Sequence, residues 1–211
     1  GTVWDEIFAV LKERAAAGVE IHLIIDDFGT LTRLSDGMLQ AIKDAGIEVE
    51  IFNPVHRYIN RLYFNYRDHR KITVIDGYVA YAGGINIGDE YANRIERFGY
   101  WKDAALRIEG DAAWNFTVMF LNFWNAFRPS ETDYSAFHPQ HSAHPVQDGI
   151  VQPYADSPLD EEPVAETVYL DILAQSQQYV CFYTPYLAIG EEMLDALRNA
   201  AKRGVDVRLV L

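Results

Sequence analysis

Apolar residues recur at helical spacing through TVWDEIFAVLKERAAAG and give way at Gly18 to the β-patterned run VEIHLIIDD. This order predicts a helix over about 4–17, closed by a glycine, then a strand over 20–26 ending in Asp26-Asp27. The pattern repeats as a helix over about 36–45 and a strand over 49–52. A polar and aromatic connection, NPVHRYINRLYFNYRD, leads to two apolar runs on either side of Asp76-Gly77, a strong β-hairpin signal. WKDAALRIEG (101–110) alternates as a half-buried strand, and Asp111 is placed to cap a helix running to about Arg128. That helix, AAWNFTVMFLNFWNAF, is apolar nearly all round, which predicts burial on more than one side. Its length and its Asn115, Asn122 and Asn125 argue against a membrane span, and contact with a bilayer surface is the sharper alternative.

Pro, Ser and His dominate 129–149, which reads as a linker; strand, helix and strand follow from about 150 to 184. VLKERAAAGVEIHLII (10–25) aligns without gaps with the final ALRNAAKRGVDVRLVL (196–211), with Leu11/Leu197, Ala15/Ala201, Gly18/Gly204, Val19/Val205 and Leu23/Leu209 identical. The offset of 186 residues implies a duplicated domain rather than a short-period array. Helices alternating with apolar strands, plus an antiparallel hairpin, predict an α/β layered fold with a mixed β-sheet flanked by helices. The expected organisation is a first domain over 1–128, a linker over 129–149 and the start of a second domain over 150–211, the whole being a piece of a longer protein.

The net charge of −13 is uneven. Residues 129–197 hold twelve acids and no Lys or Arg, whereas His56 to Lys71 carries five Lys/Arg against one Asp. A local basic pocket in an acidic chain suits a small anionic group, and a nucleic acid would want a broad basic face. The single cysteine, Cys181 in YVCFY, allows no internal disulfide and reads as a buried core residue. No apolar run reaches the 18 or so residues of a membrane span, so this segment is expected to be soluble.

The stretch HRKITVIDGYVAYAGGIN spells H-x-K-x4-D-x6-G-G-x-N with His69, Lys71, Asp76, Gly83, Gly84 and Asn86. Chance would produce it in on the order of one in a few hundred thousand chains of this length, so an accidental surface pattern is set aside. His69 and Lys71, two apart on a strand, share a face. The glycines allow a tight turn and close approach to a ligand, and Asn86 can return to the same pocket. An imidazole flanked by a fixed cation and an amide donor suits attack on a phosphodiester. The ring forms the phospho-enzyme bond, and Lys71 and Asn86 hold charge on the non-bridging oxygens, with no metal required. Arg67 and Arg70 read either as lipid-phosphate ligands or as ion-paired arginines, and His56 as pocket or core. His138, His141 and His144 form H-x-x-H-x-x-H, but the Pro- and Ser-rich surroundings argue against fixed metal-ligand geometry, so no metal or other cofactor is assigned.

This pattern resembles the HKD signature of the phospholipase D superfamily. NYRDHRKITVIDG, GGINIGDEY, FGYWKDAALRIEGDAAW, FLNFWNAF and DGIVQPYADSPLDEEP extend the resemblance to its bacterial cardiolipin synthase branch. The resemblance implies two fused domains that share one site and a phosphatidyl-histidine intermediate. Phosphatidyl would pass between two phosphatidylglycerol molecules, giving cardiolipin and glycerol. Asp103 stands where the superfamily places an acid beside the histidine, with Glu90 as the rival acid, and Asp76 reads as a structural part of the hairpin turn. Only one HKD motif is present here, so the parent would be a phosphatidyltransferase of the bacterial plasma membrane while this segment should be inactive alone unless two copies pair as a homodimer. Hydrolysis of phosphodiesters and non-catalytic phosphate binding remain open as alternatives.

Overall fold

A computed structural model describes residues 1–30, 35–54, 67–127, 133–139, 149–156, 162–184 and 186–211. The chain divides into two compact units, Gly1–Pro153 and Tyr154–Leu211.

The first unit opens with α1 (Thr2–Ala16), β1 (His22–Asp26), the short α2 (Asp27–Thr30), α3 (Asp36–Asp44) and β2 (Glu48–Phe52). β1 and β2 pair in parallel, with Leu23 opposite Val49 and Ile25 opposite Ile51. α1 and α3 end in the same way. Gly18 (φ 90) and Gly46 (φ 77) take the left-handed conformation that glycine adopts without a Cβ clash. The next amides, Val19 N–H and Ile47 N–H, then donate back to Arg14 O (3.0 Å) and Ile42 O (3.3 Å), turning the chain from helix into strand. Ser35 caps α3 through its hydroxyl, which accepts from Met38 N–H at 3.2 Å. α1 is capped from a distance: Asp89 accepts from Thr2 N–H (3.0 Å) and Val3 N–H (2.9 Å), and these bonds hold its carboxyl below the usual carboxylate range.

The hairpin follows as β3 (Ile72–Ile75) and β4 (Val79–Gly83), to which β5 (Ala105–Glu109) adds on the other side of β4, all antiparallel. Asp76 and Gly77 form the turn, both at positive φ (54 and 65), with Tyr78 N–H donating to Ile75 O at 3.1 Å. Parallel and antiparallel strands are thus both present, as the sequence implied, but they lie in separate hydrogen-bonded sheets among the described residues.

α4 (Asp111–Asn125) follows β5. Its cap is Gly110 at φ 93, not Asp111, which becomes the first helical residue; the backbone must turn there through a conformation open to glycine. One stripe of α4 (Ala113, Thr117, Leu121 and Trp124) is buried, and α4 packs on β3, β4 and β5, where Ala80 is fully buried. A second flank meets the parallel sheet. Phe123 packs on Phe52 of β2 (ring centroids 4.9 Å apart), and Trp124 stacks on His22 of β1 (4.5 Å). The apolar circumference of this helix is therefore core on two sides. No helix among the described residues is long and apolar enough to cross a membrane.

The second unit comprises α5 (Val164–Gln175), β6 (Tyr179–Tyr183), α6 (Glu191–Lys202) and β7 (Asp206–Val210), with β6 and β7 parallel. Its core is Leu173, Val180, Met193, Leu197, Ala200 and Val205. Gly204 (φ 91) ends α6 as Gly18 ends α1, so the repeat seen in sequence is also a repeat of conformation. Two sequence expectations fail here. No strand forms over 149–156, where Pro153 removes a backbone donor and Ile150 is exposed. Cys181 is exposed, because strand alternation sends Val180 and Phe182 to the core and Cys181 to the opposite face.

Leu121→Ala should destabilise the chain by about 2–5 kcal/mol, whereas Asn115→Ala on the exposed side of the same helix should change it by less than about 0.5 kcal/mol. Urea unfolding followed by circular dichroism checks both.

Candidate active site

His69 and Lys71 lie on the extended segment that enters β3. Regular strand begins only at Ile72, but the ladder reaches one residue further, because Gly83 N–H faces Lys71 O at 3.4 Å. Directly paired residues of antiparallel strands share a face, so Lys71 and Gly83 share theirs with Ala105, the β5 partner of Gly83. Asp103, two residues before Ala105, falls at the same end of the sheet. Asn86 leaves β4 at this end too, half-buried, and no hydrogen bond joins it to His69 or Lys71. The Asp76–Gly77 turn is at the far end of the hairpin. Asp76 lies in that turn.

The two glycines serve the approach of strands. A Cβ on Gly83 would lie 2.7 Å from Ala104 O and 2.9 Å from the Ala105 Cβ, and one on Gly84 would lie 2.7 Å from Asp103 Oδ1. Neither has positive φ. Their absent side chains let the Asp103 carboxylate and the Ala104–Ala105 backbone close against the end of β4.

The charges form a compact set. Lys71 Nζ donates to His69 O at 2.7 Å, folding back toward the histidine. Burial, and then the neighbouring Lys71 ammonium, lower the His69 pKa below its ordinary value of 6.5, while Asp26 and Asp68 pull it upward. The net direction disfavours the charged form of the ring. Burial also lowers the Lys71 pKa, opposed by Asp68, Asp103 and Asp26. Asp103 thus acts on Lys71. Its Oδ2 accepts from Trp101 Nε1 (3.1 Å) and its Oδ1 from Ala104 N–H (2.8 Å), and the carboxylates that act on His69 are Asp26 and Asp68. Glu90, the rival acid, is buried and pairs with Arg97 at 3.3 Å.

Arg67 and Arg70 are both held by protein groups. Arg67 donates to Asn53 O (2.9 Å), lies 3.6 Å from Asp26 Oδ1 and covers the Phe28 ring. Arg70 pairs with Asp68 (2.7 Å) and covers the Phe123 ring of α4. His138 packs against Trp114, while His56, His141 and His144 lie outside the described residues. The sequence reading passed over Asp26 and Asp68. Their one signal was position: a paired acid at the end of a parallel strand, and an acid directly before the histidine.

The fold and the motif are similar to those of phospholipase D-like proteins. Residues 3–101 match the family described as cardiolipin synthase, PLD-like domain, a span that includes His69, Lys71 and Asn86 and stops short of Asp103. The chain is 44% identical over 211 residues to an uncharacterized protein of Streptococcus mutans, covering 45% of that protein. It is 35% identical over 203 residues to a cardiolipin synthase of Oceanobacillus iheyensis, covering 96% of this chain and 41% of the relative. A cardiolipin synthase of Halalkalibacterium halodurans is 33% identical over 214 residues, again with 41% of the relative covered. The chain thus spans less than half the length of these relatives. The crystal structure of the phosphatidylserine synthase of Haemophilus influenzae shares the fold at a TM-score of 0.51 and 13% identity, over 96% of this chain and 58% of that one. Residues 3–101 thus resemble a phospholipase D-like domain, and over nearly its whole length the chain resembles the cardiolipin synthases.

In a histidine-labelled sample the His69 ring should titrate below 6.5, and Lys71→Ala should raise that value, since the ammonium disfavours a second positive charge. NMR titration checks both the position and the direction of the shift.

Proposed function

We propose that this chain supplies one half of the active site of a cardiolipin synthase, with His69 as the histidine it contributes. In the reading preferred here, a His69 ring nitrogen attacks the phosphorus of phosphatidylglycerol. An N–P bond forms, the P–O bond to glycerol breaks, and the departing oxygen takes a proton from a second histidine outside this chain. The hydroxyl of a second phosphatidylglycerol then attacks the phosphatidyl-histidine. The new O–P bond gives cardiolipin, the N–P bond breaks, and the hydroxyl proton passes to the second histidine. Lys71 and Asn86 hold the charge that builds on the non-bridging oxygens, and Asp103 supports Lys71. The observation that carries this reading is the His69–Lys71 pair: a neutral-leaning imidazole beside a fixed ammonium at one end of a three-stranded sheet.

The partner in this reading is phospholipid, reached at the bacterial plasma membrane through the longer protein. The acidic balance of the chain disfavours nucleic acid. The 211 residues contribute one HKD motif, so the chain by itself is expected to turn over negligibly unless two copies pair face to face.

The test uses the longer parent with labelled phosphatidylglycerol. His69→Ala should abolish cardiolipin formation and any side hydrolysis together, since both pass through one intermediate. Lys71→Ala should lower kcat by about 10²–10³-fold, and a chelator should leave the rate unchanged. Turnover retained by His69→Ala, or lost to the chelator and restored by zinc, overturns the reading.

A further inference from the structure

We propose that Asp26 is a positioning residue for His69: a carboxylate at the end of the parallel sheet that grips the backbone immediately before the histidine and sets where the imidazole is presented. Asp26 closes β1, and its side chain is only 14% exposed. Its Oδ2 accepts from Asp68 N–H at 3.0 Å, a contact across 42 residues of sequence. Its Oδ1 accepts from Phe28 N–H at 2.9 Å, which anchors the carboxylate to its own strand end. Arg67 Nη1 lies 3.6 Å from the same Oδ1 and donates to Asn53 O, one residue past the end of β2. The carboxyl ends of both parallel strands therefore hold residues 67 and 68, and His69 is the next residue along.

Among the described residues, few other contacts fix the backbone at His69. Regular strand starts three residues later, and the last ladder contact is at Lys71. Asp68 is turned the other way, its carboxylate taken by Arg70 N–H (3.3 Å) and Arg70 Nε (2.7 Å). The backbone is thus pinned on one side by Asp26 and on the other by Arg70 against Phe123. Among the described residues, the charged groups around His69 are Lys71, Asp26 and Asp68, with Arg67, Arg70 and Asp103 paired to or acting on these. Among them Asp26 comes from another sheet. It can hold the backbone that presents the ring and favour the ring's proton without belonging to the motif. A charge-assisted acceptor for an amide, held by an arginine, is well suited to this.

The catalytic half of the test rests on the function proposed above; the titration half does not. In the 211-residue chain, Asp26→Asn should lower the His69 pKa measured by NMR and speed exchange of the Asp68 amide, and Asp26→Glu should restore part of both. The wild-type Asp68 amide should itself exchange slowly, which keeps the test meaningful if Asp26→Asn does not fold. A folded Asp26→Asn chain with unchanged His69 titration and Asp68 exchange overturns the proposal, as does a fast-exchanging Asp68 amide in the wild type. In the longer parent, Asp26→Asn should lower kcat by about 10- to 100-fold with KM little changed. The acid limb of its pH profile should move to lower pH, because the imidazole then stays neutral further down. Loss of affinity alone, with the pH profile fixed, overturns the positioning role. If His69→Ala retains turnover, the catalytic reading falls while the titration result still decides the grip.

Discussion

The burial of α4 on two sides is the constraint from which the site follows. The helix sets Ala113, Thr117, Leu121 and Trp124 into the core and turns Phe123 and Trp124 toward Phe52 and His22 of the parallel sheet. Two- and three-stranded sheets are weak by themselves. An aromatic or leucine side chain buried in such a seam contributes about 1.5–3 kcal/mol, so the seam is strong enough to hold the two sheets at one relative position. That position brings the carboxyl end of β1 beside the entrance to β3. Without it, Asp26 and Asp68 would share no hydrogen bond.

The electrostatics of the site are a balance among a few neighbours. Burial acts against charge on both His69 and Lys71, and the Lys71 ammonium further opposes protonation of the ring. Three carboxylates push back, and they divide the work: Asp103 reaches Lys71 alone, while Asp26 and Asp68 reach both. For the attack on phosphorus proposed above, the ring must be neutral before the step and tolerate positive charge after it. Opposed influences of this kind meet both needs better than one strong ion pair, which would hold the ring charged and unreactive.

Much of this was legible in the sequence because it is local. Helix–glycine–strand units, the Asp76-Gly77 turn and the two-sided apolar helix all declare themselves through spacing and residue type. The His69, Lys71 and Gly83-Gly84 motif is likewise continuous along the chain. What escaped depends on distance or on neighbours. Asp26 looks like any strand-end acid until the fold brings Asp68 to it, and Asp89 caps a helix 86 or 87 residues away. The apolar run around Cys181 suggested burial on both faces, but among the described residues only one face of β6 is covered. Asp111 carries the right chemistry for a cap, yet the φ of 93 demanded one residue earlier selected glycine instead.

The turn at Asp76-Gly77 has a consequence for the opposite end of the hairpin. Its two positive-φ residues set which rung of β3 meets which rung of β4, with Ile72 opposite Ala82 and Ile75 opposite Val79. Gly77 is wedged beneath the Phe137 carbonyl, where an added Cβ would come within 2.3 Å of the oxygen, so that closure has no slack. A strand slipped by one rung exchanges its faces. Such a slip would carry the lysine's side chain from the open side of the sheet into the wall of α4. The aspartate that gives the HKD motif its last letter thus acts as an alignment pin, keeping the reactive end correctly dealt from the far side of the hairpin.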